Sequence, residues 1–93
     1  MRESQIENEF VAYAESRGCL CEKLVIHGTK GWPDRTIFCP NGRLLIIEFK
    51  KPGGRCSRHQ IEKIQELTKR NFEVYVYDTF AAAKATLDDC LQT

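Results

Sequence analysis

Leu-Leu-Ile-Ile-Glu-Phe-Lys-Lys, residues 44–51, is an apolar run that leads directly into charged side chains. The four apolar residues predict a buried strand. Because side chains alternate between the two faces of a strand, Glu48 and Lys50 project from the same face as Ile46. Charges at the end of a buried strand are costly unless they are paired, bound to a metal or used in chemistry. The end of this strand is therefore a candidate functional site.

A predicted hairpin brings Asp34 to the same place. Pro40-Asn41-Gly42 separates an apolar stretch at 34–39 from the strand at 43–51, and Asn-Gly is the strongest short hairpin signal. In an antiparallel hairpin, the start of the first strand lies beside the end of the second. We therefore predict that Asp34, Glu48 and Lys50 form one site.

Seven helices and strands are predicted from apolar periodicity and from turn signals. In chain order they are a helix at 4–17, strands at 19–27, 34–39 and 43–51, a helix at 57–70, a strand at 72–77 and a helix that Thr79 caps and that runs through Leu91. A crossover helix joins the third and fourth strands, so these two strands are expected to be parallel. The predicted fold class is α/β, a mixed four-stranded sheet flanked by helices in the order αβββαβα.

Length and composition predict a single domain, residues 1–93, with 42% hydrophobic and 29% charged residues. The net charge is only +1, but seven of the 14 Lys and Arg residues lie between positions 50 and 70, which indicates a basic face for phosphate. The five cysteines, without a signal peptide, are expected to be buried thiols in a reducing cytosol. We expect no membrane-spanning segment, because no apolar run is long enough.

The chemistry of the predicted site favours a divalent cation. Two carboxylates held close together repel each other unless a cation neutralises them, and Mg²⁺ prefers oxygen ligands of this kind. Such a cation can polarise a scissile phosphate and help to generate hydroxide. The neighbouring lysine can orient or deprotonate the attacking water, or stabilise charge that builds on the phosphate. These residues predict metal-dependent hydrolysis of phosphodiester bonds.

The motif Pro33-Asp34, thirteen residues and then Glu48-Phe49-Lys50 resembles the signature of the PD-(D/E)XK nuclease superfamily. More narrowly, the chain resembles the virus-type replication-repair nuclease (VRR-NUC) domain. The segments that carry this resemblance fall in family order and span almost the whole chain: Arg2-Glu3-Ser4-Gln5-Ile6-Glu7, Gly31-Trp32-Pro33-Asp34-Arg35, Glu48-Phe49-Lys50-Lys51-Pro52-Gly53-Gly54 and Ser57-Arg58-His59-Gln60. The resemblance implies a restriction-endonuclease-like core. It also implies a homodimer that cuts branched DNA such as Holliday junctions, in the cytoplasm of a bacterial cell or a phage-infected host.

The resemblance also implies roles for individual residues. Asp34 and Glu48 would be metal ligands for Mg²⁺ or Mn²⁺, together with the backbone carbonyl of Phe49, and Lys50 would be the catalytic lysine. Glu7 would complete the metal and water network from the first helix. In the same way, Gln60 would reach the site from the second helix and support Lys50 or a phosphate.

Purely structural roles compete with several of these assignments. Ser4 to Glu7 and Ser57 to Gln60 both fit the capping box, in which Glu or Gln only closes a helix start. Glu3 is the other candidate for the acid of the first helix. Lys50 could be a cross-strand partner of Asp34, although this would leave Glu48 unexplained.

Basic residues around the site are candidates for DNA binding, although such runs are often only a solvated helix face. The candidates are Lys30, Lys51, Arg55, Arg58 and His59. Two other functions stay open from the sequence. One is a restriction- or nicking-type nuclease that acts on linear duplex DNA, and the other is a DNA-binding module that has the fold without the catalysis.

Overall fold

A computed structural model describes residues 1–92 and contains the seven predicted elements in the predicted order. They are α1 Glu3–Ser16, β1 Leu20–Glu22, β2 Arg35–Phe38, β3 Leu44–Phe49, α2 Arg58–Lys69, β4 Val74–Tyr77 and α3 Phe80–Leu91. The α/β fold class and the αβββαβα order are therefore confirmed.

The four strands form one mixed sheet in the order β1-β2-β3-β4. β2 pairs antiparallel with both β1 and β3, and β4 runs parallel to β3 as the crossover through α2 requires. The predicted hairpin closes where the Cys39 N–H donates to the Arg43 carbonyl at 2.8 Å, with Gly42 at a φ of +86°. This hairpin sets the register that brings the start of β2 beside the end of β3.

The core lies between α1, α3 and one face of the sheet. From β3, Leu45, Ile47 and Phe49 are fully buried there, and the Phe10 ring of α1 packs against the Phe49 ring with centroids 5.5 Å apart. Side chains at alternate β3 positions project from the opposite face, on which α2 lies. No residue within α2, Arg58–Lys69, is fully buried, so this helix covers its face of the sheet only partly.

The first strand is much shorter than predicted. The sequence predicts a strand at 19–27, but only Leu20–Glu22 pairs with β2, opposite Phe38, Ile37 and Thr36. The two residues before β2 offer β1 no backbone N–H for pairing. Pro33 has none, and the Asp34 N–H donates to the Glu48 carboxylate. Residues 23–26 therefore continue outside the sheet, where Val25 is almost fully exposed and Leu24 and Ile26 are partly so.

The helix ends show which of the predicted caps form. The first helix begins one residue earlier than predicted, and the Gln5 side chain accepts a hydrogen bond from the Arg2 backbone N–H at its start, so the Ser4–Glu7 box is wrong. The Ser57–Gln60 box is present at the start of α2. Among residues 1–92, no helix is both long and apolar enough to cross a membrane.

Candidate active site

Glu48 is the centre of the site, at the end of β3 and with only 2% of its surface exposed. Its Oε1 accepts a hydrogen bond from the Asp34 N–H at 3.1 Å, and its Oε2 accepts one from Gln60 Nε2 at 3.0 Å. Lys50 Nζ lies 3.2 Å from the same Oε2. Burial, followed by the charge of Asp34, raises the pKa of Glu48 to about 7.

Asp34 completes a reciprocal contact between β2 and β3. Its Oδ2 accepts a hydrogen bond from the Phe49 N–H at 2.8 Å, while its own N–H donates to Glu48. Burial raises the pKa of Asp34, the Phe49 N–H opposes this rise, and the charge of Glu7 adds to it. Without a bound cation, the repulsion between the two carboxylates therefore destabilises the folded protein.

Lys50 is the cation closest to this carboxylate pair, and only 12% of its side chain is exposed. Burial alone would lower the pKa of Lys50, but the hydrogen bond and the charge of Glu48 more than offset this effect, so the pKa lies above its ordinary value. The ion pair joins Lys50 to Glu48 rather than to Asp34, as the period of two along β3 predicts. In this arrangement Lys50 is an ammonium group that can donate hydrogen bonds into the site.

Glu7 lies at the edge of the site and is held by two cations. Its Oε2 accepts a hydrogen bond from Arg35 Nε at 2.6 Å, and Lys23 Nζ lies 3.6 Å away. Glu7 and the other α1 acid, Glu3, both raise the pKa of Asp34, Glu7 more strongly. The capping role no longer explains Glu7, because Gln5 closes the helix start.

Arg35 is a site residue that the sequence reasoning missed. Its guanidinium binds Glu7, and its Nη1 also donates to the Cys21 carbonyl at 3.4 Å, so it is fixed between α1 and β1. In the sequence, the feature that pointed to Arg35 was its position directly after Asp34, within the motif Gly31-Trp32-Pro33-Asp34-Arg35. Its partner could not be identified without the packing of α1 on the sheet.

Gln60 closes the helix cap and also reaches the site, where it contacts Glu48 rather than Lys50. Its Oε1 accepts a hydrogen bond from the Ser57 N–H at 2.8 Å, which closes the capping box, and its Nε2 donates to Glu48. A single amide side chain thus couples the start of α2 to the central carboxylate.

The loop before Asp34 packs tightly on the same helix start. Gly31 has a φ of +82°, and a Cβ at this position would lie 2.3 Å from the His59 carbonyl oxygen. Only glycine fits both the conformation and the contact. The next residue, Trp32, buries its Nε1 without a hydrogen-bond partner among the described residues. Gly31 therefore fixes the loop that leads to Asp34 relative to the residue next to Gln60.

The candidate DNA-binding residues lie at the surface. Lys30, Lys51, Arg55, Arg58 and His59 are all exposed. Arg58 forms an i,i+4 ion pair with Glu62, its Nε lying 3.1 Å from Oε1. Lys30 and His59 line a groove of about 360 Å³ between the 28–30 loop and α2. The sequence predicts a basic surface here. The structure has exposed cations at these positions, but acidic side chains of α2 lie among them.

The donor atoms of the site suit Mg²⁺ or Mn²⁺. Within residues 1–92, no group of three or more His, Cys, Asp and Glu side chains is arranged to hold a metal ion. Mg²⁺, however, is usually bound through one or two carboxylates while it keeps several waters. The Asp34–Glu48 pair, whose pKa values are raised by burial, offers oxygen donors of this kind, and Lys50 is the only cation paired with it among the described residues.

Comparisons with known proteins agree on one family. A family model described as the VRR-NUC domain matches residues 2–81. The chain is 32% identical over 79 residues to "Putative nuclease p44" of Acyrthosiphon pisum secondary endosymbiont phage 1, a match that covers 85% of each protein. A solved structure titled "VRR_NUC domain" superimposes with a TM-score of 0.85 at 24% identity, and the match covers 92% of this chain and 94% of that one. The structural likeness supports the fold.

Proposed function

The chain belongs to the VRR-NUC domain family, and from this premise we propose that it is a nuclease, specifically a divalent-metal-dependent endodeoxyribonuclease. The observation that carries the proposal is the convergence of Asp34, Glu48 and Lys50 at one strand end. A buried carboxylate with a raised pKa, beside a second carboxylate and an ammonium group, is costly in a protein that does not use it.

Asp34, Glu48 and the Phe49 carbonyl would hold Mg²⁺ or Mn²⁺. A bound divalent cation supplies Lewis-acid activation of a phosphate oxygen and of a water molecule. Lys50 donates hydrogen bonds to the phosphate oxygen on which negative charge builds as water attacks in line. Gln60 holds the Glu48 carboxylate in its orientation, and Arg35 holds Glu7 where this carboxylate can accept a hydrogen bond from the attacking water.

DNA is the proposed substrate, and the exposed cations around the site support a surface that follows its phosphates. Lys51 and Arg55 follow the end of β3, and Arg58 and His59 begin α2, so all four lie within ten residues of Lys50 along the chain. Phosphate contacts of this kind position the duplex without reading its sequence. The proposed specificity is therefore for DNA structure, and we propose branched DNA such as a Holliday junction.

A homodimer is part of the proposal, because one site cuts one strand and resolution of a four-way junction needs two cuts. An exposed apolar row supports it. Leu20, Phe38 and Leu44 are cross-strand neighbours on the face that also carries Glu48, and Leu20 and Phe38 remain 57% and 40% exposed. Small domains with little core gain stability when such surfaces are covered. The phage origin of the named relative supports action in the cytoplasm of a bacterial cell or a phage-infected host.

The experiment that tests this function uses the purified chain and a panel of labelled four-way junction, flap and linear duplex DNA. We expect cleavage with Mg²⁺ or Mn²⁺, no cleavage with EDTA, and paired symmetric nicks on the junction. Sedimentation analysis should give the mass of a dimer. Cleavage of linear duplex alone would favour a restriction- or nicking-type enzyme, and no cleavage with any divalent metal would favour a DNA-binding module without catalysis.

A further inference from the structure

Three buried cysteines form a cluster at the end of the sheet that lies away from the candidate active site. The Cys39 thiol lies near the thiols of Cys19 and Cys90, and all three side chains are less than a tenth exposed. Neither Cys19 nor Cys39 is in a disulfide. The proposed nuclease chemistry uses none of these three groups.

Extended by one position beyond its last paired residues, the β1–β2 register sets Cys19 opposite Cys39. Leu20 pairs with Phe38, so the next opposed positions along the ladder are 19 and 39. Neither cysteine donates its backbone N–H to the other. The Cys19 N–H donates to the Ala14 carbonyl at 3.0 Å, and the Cys39 N–H donates to the Arg43 carbonyl at 2.8 Å. The extended register therefore gives the two residues the geometry of a non-hydrogen-bonded antiparallel pair, for which Cα atoms are typically about 4.5 Å apart. This spacing is within the range that disulfides accept.

We propose that Cys19 and Cys39 are an oxidisable dithiol that forms an intramolecular disulfide when a low-molecular-weight disulfide such as oxidised glutathione is the oxidant. One thiolate of the pair attacks the oxidant, which forms a mixed disulfide and releases one glutathione thiolate. The second cysteine, as thiolate, then attacks the protein sulfur and releases the other glutathione. The protein loses two electrons and two protons, and one glutathione disulfide becomes two thiols.

Burial determines the rate of this reaction. Burial raises the pKa of both thiols, that of Cys39 to about 12. Because thiolates are the reactive form, oxidation is slow in the folded protein and accelerates as pH rises.

The cross-link closes a ring that runs from Cys19 to Cys39 and contains β1 and Asp34. A ring of about 20 residues restricts the unfolded chain, and the corresponding rise in unfolding midpoint is roughly 15–25 °C. Asp34 lies at the other end of β2, about 16 Å along the strand from Cys39. Oxidation therefore stabilises the fold without contact with the candidate active site.

The test incubates the full chain with oxidised glutathione at pH 8 and follows its intact mass, its peptide map and its unfolding midpoint. We expect loss of two hydrogens, and proteolysis after Leu20, which separates Cys19 from Cys21, should yield a linked Cys19–Cys39 peptide. The midpoint should rise by roughly 15–25 °C and return on addition of dithiothreitol. The Cys21→Ser variant should behave in the same way, and Cys19→Ser should show neither the cross-link nor the rise.

Three results would overturn the proposal. They are a link from Cys39 to Cys90 instead of Cys19, glutathione adducts such as one on the partly exposed Cys56 without any internal cross-link, and no oxidation even at high pH. The peptide map of the unmodified sequence decides among these results even if the Cys19→Ser variant fails to fold.

Discussion

Replacing Asp34 by Asn should make the metal-free protein more stable while it removes the proposed activity. The pKa of Glu48 in the folded protein is about 7, compared with an ordinary value of 4.5, so Glu48 is ionised at pH 8. This difference corresponds to a destabilisation of about 3 kcal/mol at high pH. Burial is the largest cause of this rise in pKa, and the charge of Asp34 is the second. Removal of the Asp34 charge should therefore stabilise the folded protein by about 1 kcal/mol. The Asn side chain can still accept the hydrogen bond from the Phe49 N–H.

The sign of the pH dependence makes this prediction specific. A carboxyl group whose folded pKa is raised contributes stability below pH 4.5 that is lost as the pH rises through about 7. Without a cation, the wild type should therefore be less stable at pH 8 than at pH 5, and Asp34→Asn should reduce this loss. Thermal unfolding in EDTA should show a midpoint for Asp34→Asn about 4–8 °C above that of the wild type at pH 8, and nearly equal midpoints at pH 5.

Added Mg²⁺ should reverse the ranking at pH 8, because only the wild type keeps both carboxylates. Asp89→Asn is the matched control, since it removes an exposed acid from α3 and should show neither effect. The reasoning would be refuted if Asp34→Asn were destabilising at pH 8 in EDTA, or if Mg²⁺ stabilised this variant as strongly as the wild type.

Three further substitutions test how the site is held. Gly31→Ala should lower the free energy of unfolding, measured by chemical denaturation, by about 2 kcal/mol more than Gly28→Ala does. Both glycines have positive φ, but only at Gly31 would an added Cβ meet backbone atoms; equal losses would contradict this. Arg35→Gln should lower single-turnover cleavage about tenfold by releasing Glu7, with the melting temperature and DNA affinity as controls; an unchanged rate would remove Arg35 from the site. Gln60→Glu keeps the helix cap but repels the carboxylate it contacts, so cleavage should fall while helix content, measured by circular dichroism, is kept; a fully active variant would leave Gln60 with capping alone.

Local signals were sufficient to predict the hairpin and its site. The Asn41-Gly42 turn and the alternation along β3 placed Asp34, Glu48 and Lys50 together, because a hairpin register depends on neighbouring residues. The parallel placement of β4 followed from the crossover rule. These predictions needed no knowledge of how distant elements pack.

Contacts between distant elements account for what the sequence could not decide. The Glu7–Arg35 pair depends on how α1 crosses the sheet, and the two roles of Gln60 depend on where α2 begins above Glu48. The first strand was predicted too long because the apolar residues Leu24, Val25 and Ile26 favour a strand, although no strand of the sheet pairs with them in the described chain. Strand propensity is realised only where a partner is present.

The central claim, that Asp34, Glu48 and Lys50 together cleave DNA with a divalent cation, is tested most directly through Lys50. Single-turnover cleavage of a four-way junction with Mg²⁺ should be measured for the wild type, Lys50→Ala and Lys69→Ala, with DNA affinity measured in parallel in Ca²⁺. Lys69 is an exposed lysine at the far end of α2 and serves as the matched control. We predict that Lys50→Ala binds the junction but loses cleavage by at least about a thousandfold, while Lys69→Ala cleaves like the wild type. Cleavage by Lys50→Ala at the wild-type rate would contradict the account.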